Sequence, residues 1–403
     1  MISRPRGTRD FLPDTMARRR DLEGRMRSVF ERWGYDEIAT PTFEHLELFT
    51  LKSGEAISEE LYAFKDRGGR DLALRPELTA PVVRMYINEL KNAPIPLKFY
   101  YFGNCFRYER PQRGRFREFW QFGCEIIGTE TPEAEAEVIA LASAIMNETG
   151  VRTALHIGNL ELVRSVLESL TADEQAAIMR LMDKNDEEGL KEALDPDLAD
   201  KLFDLISSRS CDEISEIIGE TPELDHLRKV LLLLDCYGVE YQLNPGVARG
   251  LEYYTGIVFE IYAEGLGAEN QVCGGGSYRL IPLFGGPDIP STGFAIGFDR
   301  IMEIFEPEVE KKLRIAVVPT DDVREEGVRI SKILRTRYKT YLDIMGRNLK
   351  SQLNFADKWN ADYAIILGSK EVAAGKVTLK NLAKGEQQTM TFDECLEILD
   401  QNT

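Results

Sequence analysis

The chain has 403 residues, 43% hydrophobic and 29% charged, which fits a globular protein of two or three domains. No run of about 18 apolar residues occurs, and the N-terminus MISRPRGTRDF has no apolar stretch behind its basic residues, so membrane helices and a secretory leader are not expected. Six scattered Cys without a CxxC, beside only three His, argue against a structural zinc site. The net charge of −18 is uneven. Residues 183–224 hold fourteen Asp/Glu against four Lys/Arg, whereas 107–117 contain five Arg and 320–384 thirteen Lys/Arg against eight Asp/Glu. Two basic zones on an acidic body suit a protein that touches RNA at chosen places.

In chain order, residues 14–33 predict an amphipathic helix, with Leu22, Met26, Val29, Phe30 and Trp33 on one stripe and Gly34 as its stop. Short β-like runs follow to about residue 128. Residues 131–150 predict a second helix, started by Pro132 and ended by Gly150. Residues 160–235, rich in Leu, Ala, Asp and Glu at helical spacing, read as a helical insertion. Gly-rich β-like runs return over 240–300 and close in a helix near 299–305. The charged stretch 306–313 marks a linker. Beyond it RIAVVP, a helix over 322–338, a helix over 349–359, YAIILG, KVTLKN and TMTF make a small α/β domain of about 90 residues. HIGN at 156–159 and GSKEVAAGK at 368–376 are set aside. The first is too short to be specific; the second fails the GxxxxGK[ST] phosphate-loop spacing and fits a hairpin turn.

The run from Phe119 to Ile126 alternates. Trp120, Phe122, Cys124 and Ile126 make a core face, while Phe119, Gln121, Gly123 and Glu125 make an open polar one, where a missing side chain admits a ligand. Arg107 lies on the opposite alternation from Phe102, Phe106 and Tyr108. On pattern alone, an antiparallel hairpin with one wet face and surface arginines fits equally well. Likewise ARGLEYYTGIVFEIY (248–262) fits an aromatic strand behind a terminal Arg, and LRPELTAPVVR (74–84) a loop leading into a helix.

Together these segments resemble a known family. Residues 106–125 match motif 2 of class II aminoacyl-tRNA synthetases in its histidyl form, FRxERPQxGRxRxFxQxGCE, at every fixed position. Residues 249–260 resemble RGLDYYTGTVFE, with Glu252 for Asp and Ile257 for Thr. Residues 75–80 match RPExTA. CGGGSYRLIPLFGG (273–286) resembles the GGRYDxL element, with Ser277 for Arg and Arg279 for Asp, and TGFAIGFDRI (292–301) resembles motif 3, with Asp299 where Glu is commoner. Residues 6–13 and 40–49 resemble the opening and motif 1, whose Pro41 and Glu44 fall at a two-fold dimer interface.

The resemblance implies an α+β chain: a class II catalytic domain on an antiparallel sheet (1–158 and 236–308), a helical insertion domain (159–235), and a C-terminal α/β anticodon-binding domain (313–403). It implies a cytoplasmic homodimer, with no membrane association, that uses ATP with Mg²⁺ to activate L-histidine and charge tRNA(His). Arg107 and Arg249 would be catalytic cations at the α-phosphate. Glu109, Arg115, Phe119 and Arg300 would hold the rest of ATP. Glu77, Thr79, Gln121, Glu125, Arg249, Tyr253, Tyr254 and Tyr278 would bind histidine, and Arg110 and Gln112 would face the tRNA acceptor end. Fixed guanidiniums stabilise the charge that adenylate formation builds on phosphorus. The competing reading is a non-catalytic relative on the same fold, the regulatory subunit of ATP phosphoribosyltransferase. Such paralogues tend to lose the synthetase arginines and the anticodon domain, whereas Arg107, Arg249 and Arg300 are all present here.

Overall fold

The computed structural model describes residues 2–53, 59–109, 115–183, 186–247, 254–267, 270–306 and 312–402. The chain divides into two compact units, residues 1–307 and 308–403. The first begins with α1 (Pro13–Arg32), entered by Pro13 and left before Gly34 at φ +77°. Its stripe of Leu22, Met26, Val29 and Phe30 is buried, and the Phe30 ring stacks on Tyr100 at 4.9 Å and Phe122 at 5.8 Å. Each such side chain contributes roughly 1.5–3 kcal/mol by leaving water.

Next come β1 (Asp36–Glu37), β2 (Phe43–His45), α2 (Glu47–Ser53), β3 (Ala63–Lys65), β4 (Asp71–Leu74) and α3 (Thr79–Met85), which a π-turn extends through Leu90. The stretch expected as β-like runs therefore contains two helices. The second lies where LRPELTAPVVR fits a loop leading into a helix, although the β-branched content of TAPVVRMYINEL favours a strand. Glu77 overrides it by accepting from the N–H groups of Thr79 and Ala80, and Leu78, Val82 and Tyr86 bury one helical stripe.

The long hairpin β5 (Leu97–Phe106) and β6 (Glu118–Ile127) leads to α4 (Pro132–Thr149), which Gly150 ends in the left-handed region at φ +71°. After β7 (Thr153–Asn159) come the helices α5 (Leu160–Val166), α6 (Ala172–Asp183), α7 (Glu187–Ala193), α8 (Pro196–Ser207), α9 (Cys211–Ile218) and α10 (Pro222–Tyr237). The unit closes with β8 (Gln242–Leu243), β9 (Tyr254–Ala263), β10 (Gln271–Tyr278), β11 (Ser291–Gly297) and α11 (Phe298–Ile304).

Eight of these strands form one sheet in the order β1-β5-β6-β11-β10-β9-β7-β8, antiparallel except for its two outermost pairs. Its back face shares a single apolar core with α1, α4 and the α5–α10 segment, through residues such as Phe122, Ile139, Leu162 and Leu227. The front face carries a second core, in which Phe99 and Tyr101 of the sheet meet Leu78, Val82 and Tyr86, and it leaves the rest of that face for the site described below. A small sheet, β2-β4-β3, stands apart.

The second unit holds β12 (Arg314–Pro319), α12 (Arg324–Leu334), β13 (Lys339–Leu342), α13 (Leu349–Lys358), β14 (Tyr363–Leu367), α14 (Ser369–Ala373), β15 (Lys376–Asn381), β16 (Gln387–Thr391) and α15 (Phe392–Asp400), with sheet order β13-β12-β14-β15-β16. The helix expected over 322–338 stops at Leu334, and KTYL after it forms the edge strand β13, paired in parallel with β12. GSKEVAAGK is a short helix running into a strand rather than a hairpin turn, and HIGN is the end of β7. The whole is an α+β arrangement.

Candidate functional site

The alternation in β6 sorts its side chains as the sequence predicts. Phe122, Cys124 and Ile126 enter the back core, and Phe119, Gln121 and Glu125 take the front. Strand β11 lies beside β6 with Gln121 opposite Gly297 and Glu125 opposite Gly293. The Gln121–Gly297 end of this pairing opens on a cleft of about 790 Å³, lined also by Arg107, Glu109, Arg115 and Phe119 from the hairpin, Gly274 from β10, and Arg300 from α11.

Arg107 follows directly on β5. Its backbone N–H donates to Arg117 O at 3.1 Å, closing the base of the hairpin loop, and its Nε donates to Pro76 O at 3.0 Å. Its guanidinium carbon sits 5.3 Å from the centre of the Phe119 ring. Glu109 lies between Arg107 at 3.9 Å and Arg115 at 3.5 Å, so one carboxylate orients two cations. Arg300, in the first turn of α11, donates from Nη1 to Gln271 O at 2.5 Å. Guanidiniums arranged around an aromatic ring suit a polyphosphate carrying a planar base.

A second cluster centres on Glu125, which is 1% exposed. Its carboxylate accepts from the Tyr101 hydroxyl at 2.9 Å and the Tyr278 hydroxyl at 2.6 Å. Burial pushes its carboxyl up to about 7, against the pull of hydrogen bonds from Tyr278, Thr79 and Tyr101, with the Glu77 charge adding to the rise. The room for this group comes from glycine. A Cβ on Gly293 would fall 2.0 Å from Glu125 Oε2, and one on Gly123 would fall 2.5 Å from the Tyr101 hydroxyl. Tyr254 opens β9 with its ring 6.5 Å from that of Tyr278 and nearly perpendicular to it, and its carbonyl accepts from Arg164 at 2.8 Å. Gln121 Oε1 accepts from the Cys105 thiol at 3.4 Å. The cluster offers a buried carboxyl hovering near neutrality among hydroxyls, a setting matched to a small ring that can donate or accept a proton.

The structure thus brings Arg107, Glu109, Arg115, Phe119, Gln121 and Arg300 to one cleft, and Glu77, Thr79, Glu125 and Tyr278 to one pocket, with Tyr254 beside Tyr278. Arg249, Tyr253, Arg110 and Gln112 lie outside the described residues. Tyr101 was not anticipated. The signal was available in FYYFGNCFR, where it shares the alternation of Cys105 and Arg107. The two departures near Tyr278 find partners away from the pocket. Ser277 turns to the back of the sheet and donates to Glu135, which His226 also contacts at 2.6 Å. Arg279 pairs with Asp288 at 2.6 Å and Glu130 at 2.5 Å. Among the described residues no helix is long and apolar enough to cross a membrane, and no group of three or more His, Cys, Asp or Glu is arranged to hold a metal.

Comparison with known proteins follows the same division. A histidyl-tRNA synthetase family model matches residues 7–301, and an anticodon-binding domain model matches 312–402. The histidine–tRNA ligase of Methanosarcina acetivorans is 53% identical, covering 98% of each chain. That of Archaeoglobus fulgidus is also 53% identical, covering 99% of each. The crystal structure of apo S. aureus histidyl-tRNA synthetase superposes with a TM-score of 0.77 at 31% identity, covering 99% of this chain and 100% of that one.

Proposed function

The chain belongs to the histidyl-tRNA synthetase family, and on that premise we propose that it is a histidine–tRNA ligase working through the cleft and pocket on the front of its large sheet. The observation that carries this reading is their continuity along β6. A guanidinium-lined cleft for a nucleotide adjoins, on the same strand face, a buried carboxyl–hydroxyl pocket for an imidazole.

In the first step the histidine carboxylate attacks the α-phosphorus of ATP, and pyrophosphate leaves. Arg107 and Arg249 stabilise the charge that develops at the α-phosphate. Arg115 and Arg300 hold the outer phosphates, Phe119 lies against the adenine, and Glu109 orients its two arginines. Mg²⁺ arrives with ATP as part of the substrate. Glu77, Thr79 and Gln121 receive the ammonium of histidine, and Glu125, Tyr254 and Tyr278, with Tyr253 alongside, take the imidazole. In the second step a hydroxyl of the terminal ribose of tRNA(His) attacks the carbonyl carbon of histidyl-adenylate, and AMP leaves. Arg110 and Gln112 face that acceptor end. Fixed cations and a bound near-attack geometry supply most of the acceleration. A pocket that hydrogen-bonds both sides of the ring rejects apolar side chains by leaving its own groups unpaired, so no editing site is needed. The proposed domain division is 1–158 with 236–308 for catalysis, 159–235 as a helical insertion and 313–403 for the anticodon. The working form is a cytoplasmic homodimer joined around Pro41 and Glu44.

The test is ATP–pyrophosphate exchange with each amino acid in turn, without tRNA. Exchange with histidine alone is expected. Absence of exchange from a folded protein would move the assignment to the regulatory subunit of ATP phosphoribosyltransferase.

A further inference from the structure

We propose that Arg9, on the segment ahead of α1, is a positioning residue for ATP: with Arg19 it overcharges the buried carboxylate of Asp299, fixes Arg300 and Trp120 through it, and gives the cleft its positive field. The inference rests on the reading of the cleft as the nucleotide site.

Asp299 is 2% exposed and meets three separate elements. Its Oδ1 lies 2.7 Å from Arg9 Nη2 and 2.6 Å from Arg19 Nη1, and its Oδ2 accepts the backbone N–H of Trp120 at 2.7 Å. Asp299 immediately precedes Arg300, so the carboxylate that grips β6 also sets the first turn of α11. The leading segment is fastened at further points. Gly7 O accepts from Arg117 N at 2.9 Å, and the Phe11 ring meets Trp120 edge-on at 5.6 Å. The Arg9 guanidinium lies 3.3 Å over the Phe116 ring, and Phe116, Trp120 and Asp299 all line the cleft. Arg9 is therefore one layer behind the cleft wall.

The charges explain why two arginines are there. Among the described residues the cleft is lined by Arg107, Arg115 and Arg300 and by Glu60, Glu109 and Asp299, three cations against three carboxylates. A neutral lining would not attract a triphosphate. Arg9 and Arg19 stand directly behind it, and with the Glu303 carboxylate that also acts on Arg9 they raise the sum to +1. Arg19 alone would neutralise Asp299, and it is wedged 4.1 Å over Phe11 and 4.7 Å over Trp120, as a structural cation would be. Arg9 is the surplus charge. Burial, and after it the nearby Arg19 charge, lower its pKa by more together than Asp299 and Glu303 restore, so an incoming anion would relieve it.

The test uses the full chain with Arg9→Met and Arg9→Lys, in histidine-dependent ATP–pyrophosphate exchange and thermal melting. Arg9→Met keeps the aliphatic volume and leaves the Arg19–Asp299 pair. Its KM for ATP should rise roughly tenfold, the size expected of one charge about 10 Å from a phosphate in a partly screened site. Its KM for histidine and its melting temperature should stay near wild type. Arg9→Lys should recover most of the ATP affinity. The wild-type KM for ATP should also climb more steeply with salt than that of Arg9→Met. An unchanged KM for ATP in Arg9→Met overturns the proposal. So does a joint rise of both KM values with a lowered melting temperature, which marks a merely structural pair. If wild-type protein shows no exchange with histidine, the functional reading fails instead, and calorimetric titration of ATP into wild type and Arg9→Met decides the role of Arg9 by the same comparison.

Discussion

Replacing Glu125 with glutamine is expected to strengthen the fold above neutral pH while abolishing activation of histidine. Burial raises the Glu125 carboxyl from 4.5 to about 7. The folded state thus holds its proton across a pH range in which the unfolded chain has released it. Below about pH 4.5 both states are protonated and the group has no effect. Between there and about pH 7 stability falls as pH rises, and above about 7 the full deficit is present. At 1.36 kcal/mol per unit, a rise of about 2.5 units corresponds to about 3 kcal/mol. Glutamine keeps the shape, and the Tyr101 and Tyr278 hydroxyls can turn to accept from its amide nitrogen. Melting curves of both proteins from pH 5 to pH 9 provide the assay. The advantage of the variant should be small at pH 5 and grow to about 6 °C by pH 8, using roughly 2 °C per kcal/mol for a large unit. Histidine-dependent exchange should be lost throughout. A melting difference that does not change with pH, or a variant less stable at pH 8, would refute the assignment of the burden to this carboxyl.

Three other outcomes follow from contacts described above. Gly293→Ala places a Cβ 2.0 Å from Glu125 Oε2 and 2.3 Å from the backbone oxygen of Cys124, which cannot swing aside; the KM for histidine should rise more than tenfold, with that for ATP far less affected, and the fold should lose about 1–3 kcal/mol in denaturant titration. Arg107→Ala removes a side chain that is 37% exposed, so melting should hardly move, while kcat/KM for ATP in exchange should fall by about 10²–10³. His226→Ala leaves Glu135 buried with Ser277 as the remaining side-chain hydrogen-bond partner among the described residues. Because hydrogen bonding to Glu135 raises the pKa of His226, its contribution is complete below about 6.5 and lost as pH climbs through the raised value, so the melting deficit should be larger at pH 6 than at pH 9.

What the sequence disclosed and what it hid divide along physical lines. Period-two alternation in β6 announced which side chains faced the ligand, and a Pro-to-Gly frame announced α4, because both signals are local. The edge strand β13 escaped, since four residues behind a helix carry too short a pattern to compete with the helical periodicity before them. At 74–84 the sequence offered only a loop leading into a helix; the Val residues favour a strand, and the cap from Glu77 with the burial of Leu78, Val82 and Tyr86 places the helix at 79–85. The site repeats the lesson. Arg107, Gln121 and Glu125 could be picked out along one stretch of chain. The grip of Arg9 and Arg19 on Asp299 joins residues 290 and 280 positions apart. Nor did the departure at Ser277 reveal its partner, because Glu135 meets it across the sheet from another element.

The strand order has a consequence for how the protein is made. β6 ends at Ile127, and its neighbour β11 does not begin until Ser291. At about 5–20 residues per second, a ribosome needs roughly 8–33 s to supply that neighbour. Throughout the interval β6 offers an unpaired edge, lined with Phe122, Cys124 and Ile126, that invites pairing with another nascent chain. The intervening α4 and the helices that follow emerge during this wait and can cover the apolar face early, but they cannot satisfy the edge. Faster elongation through codons 128–290 should therefore raise the soluble yield, and a pause placed there should lower it.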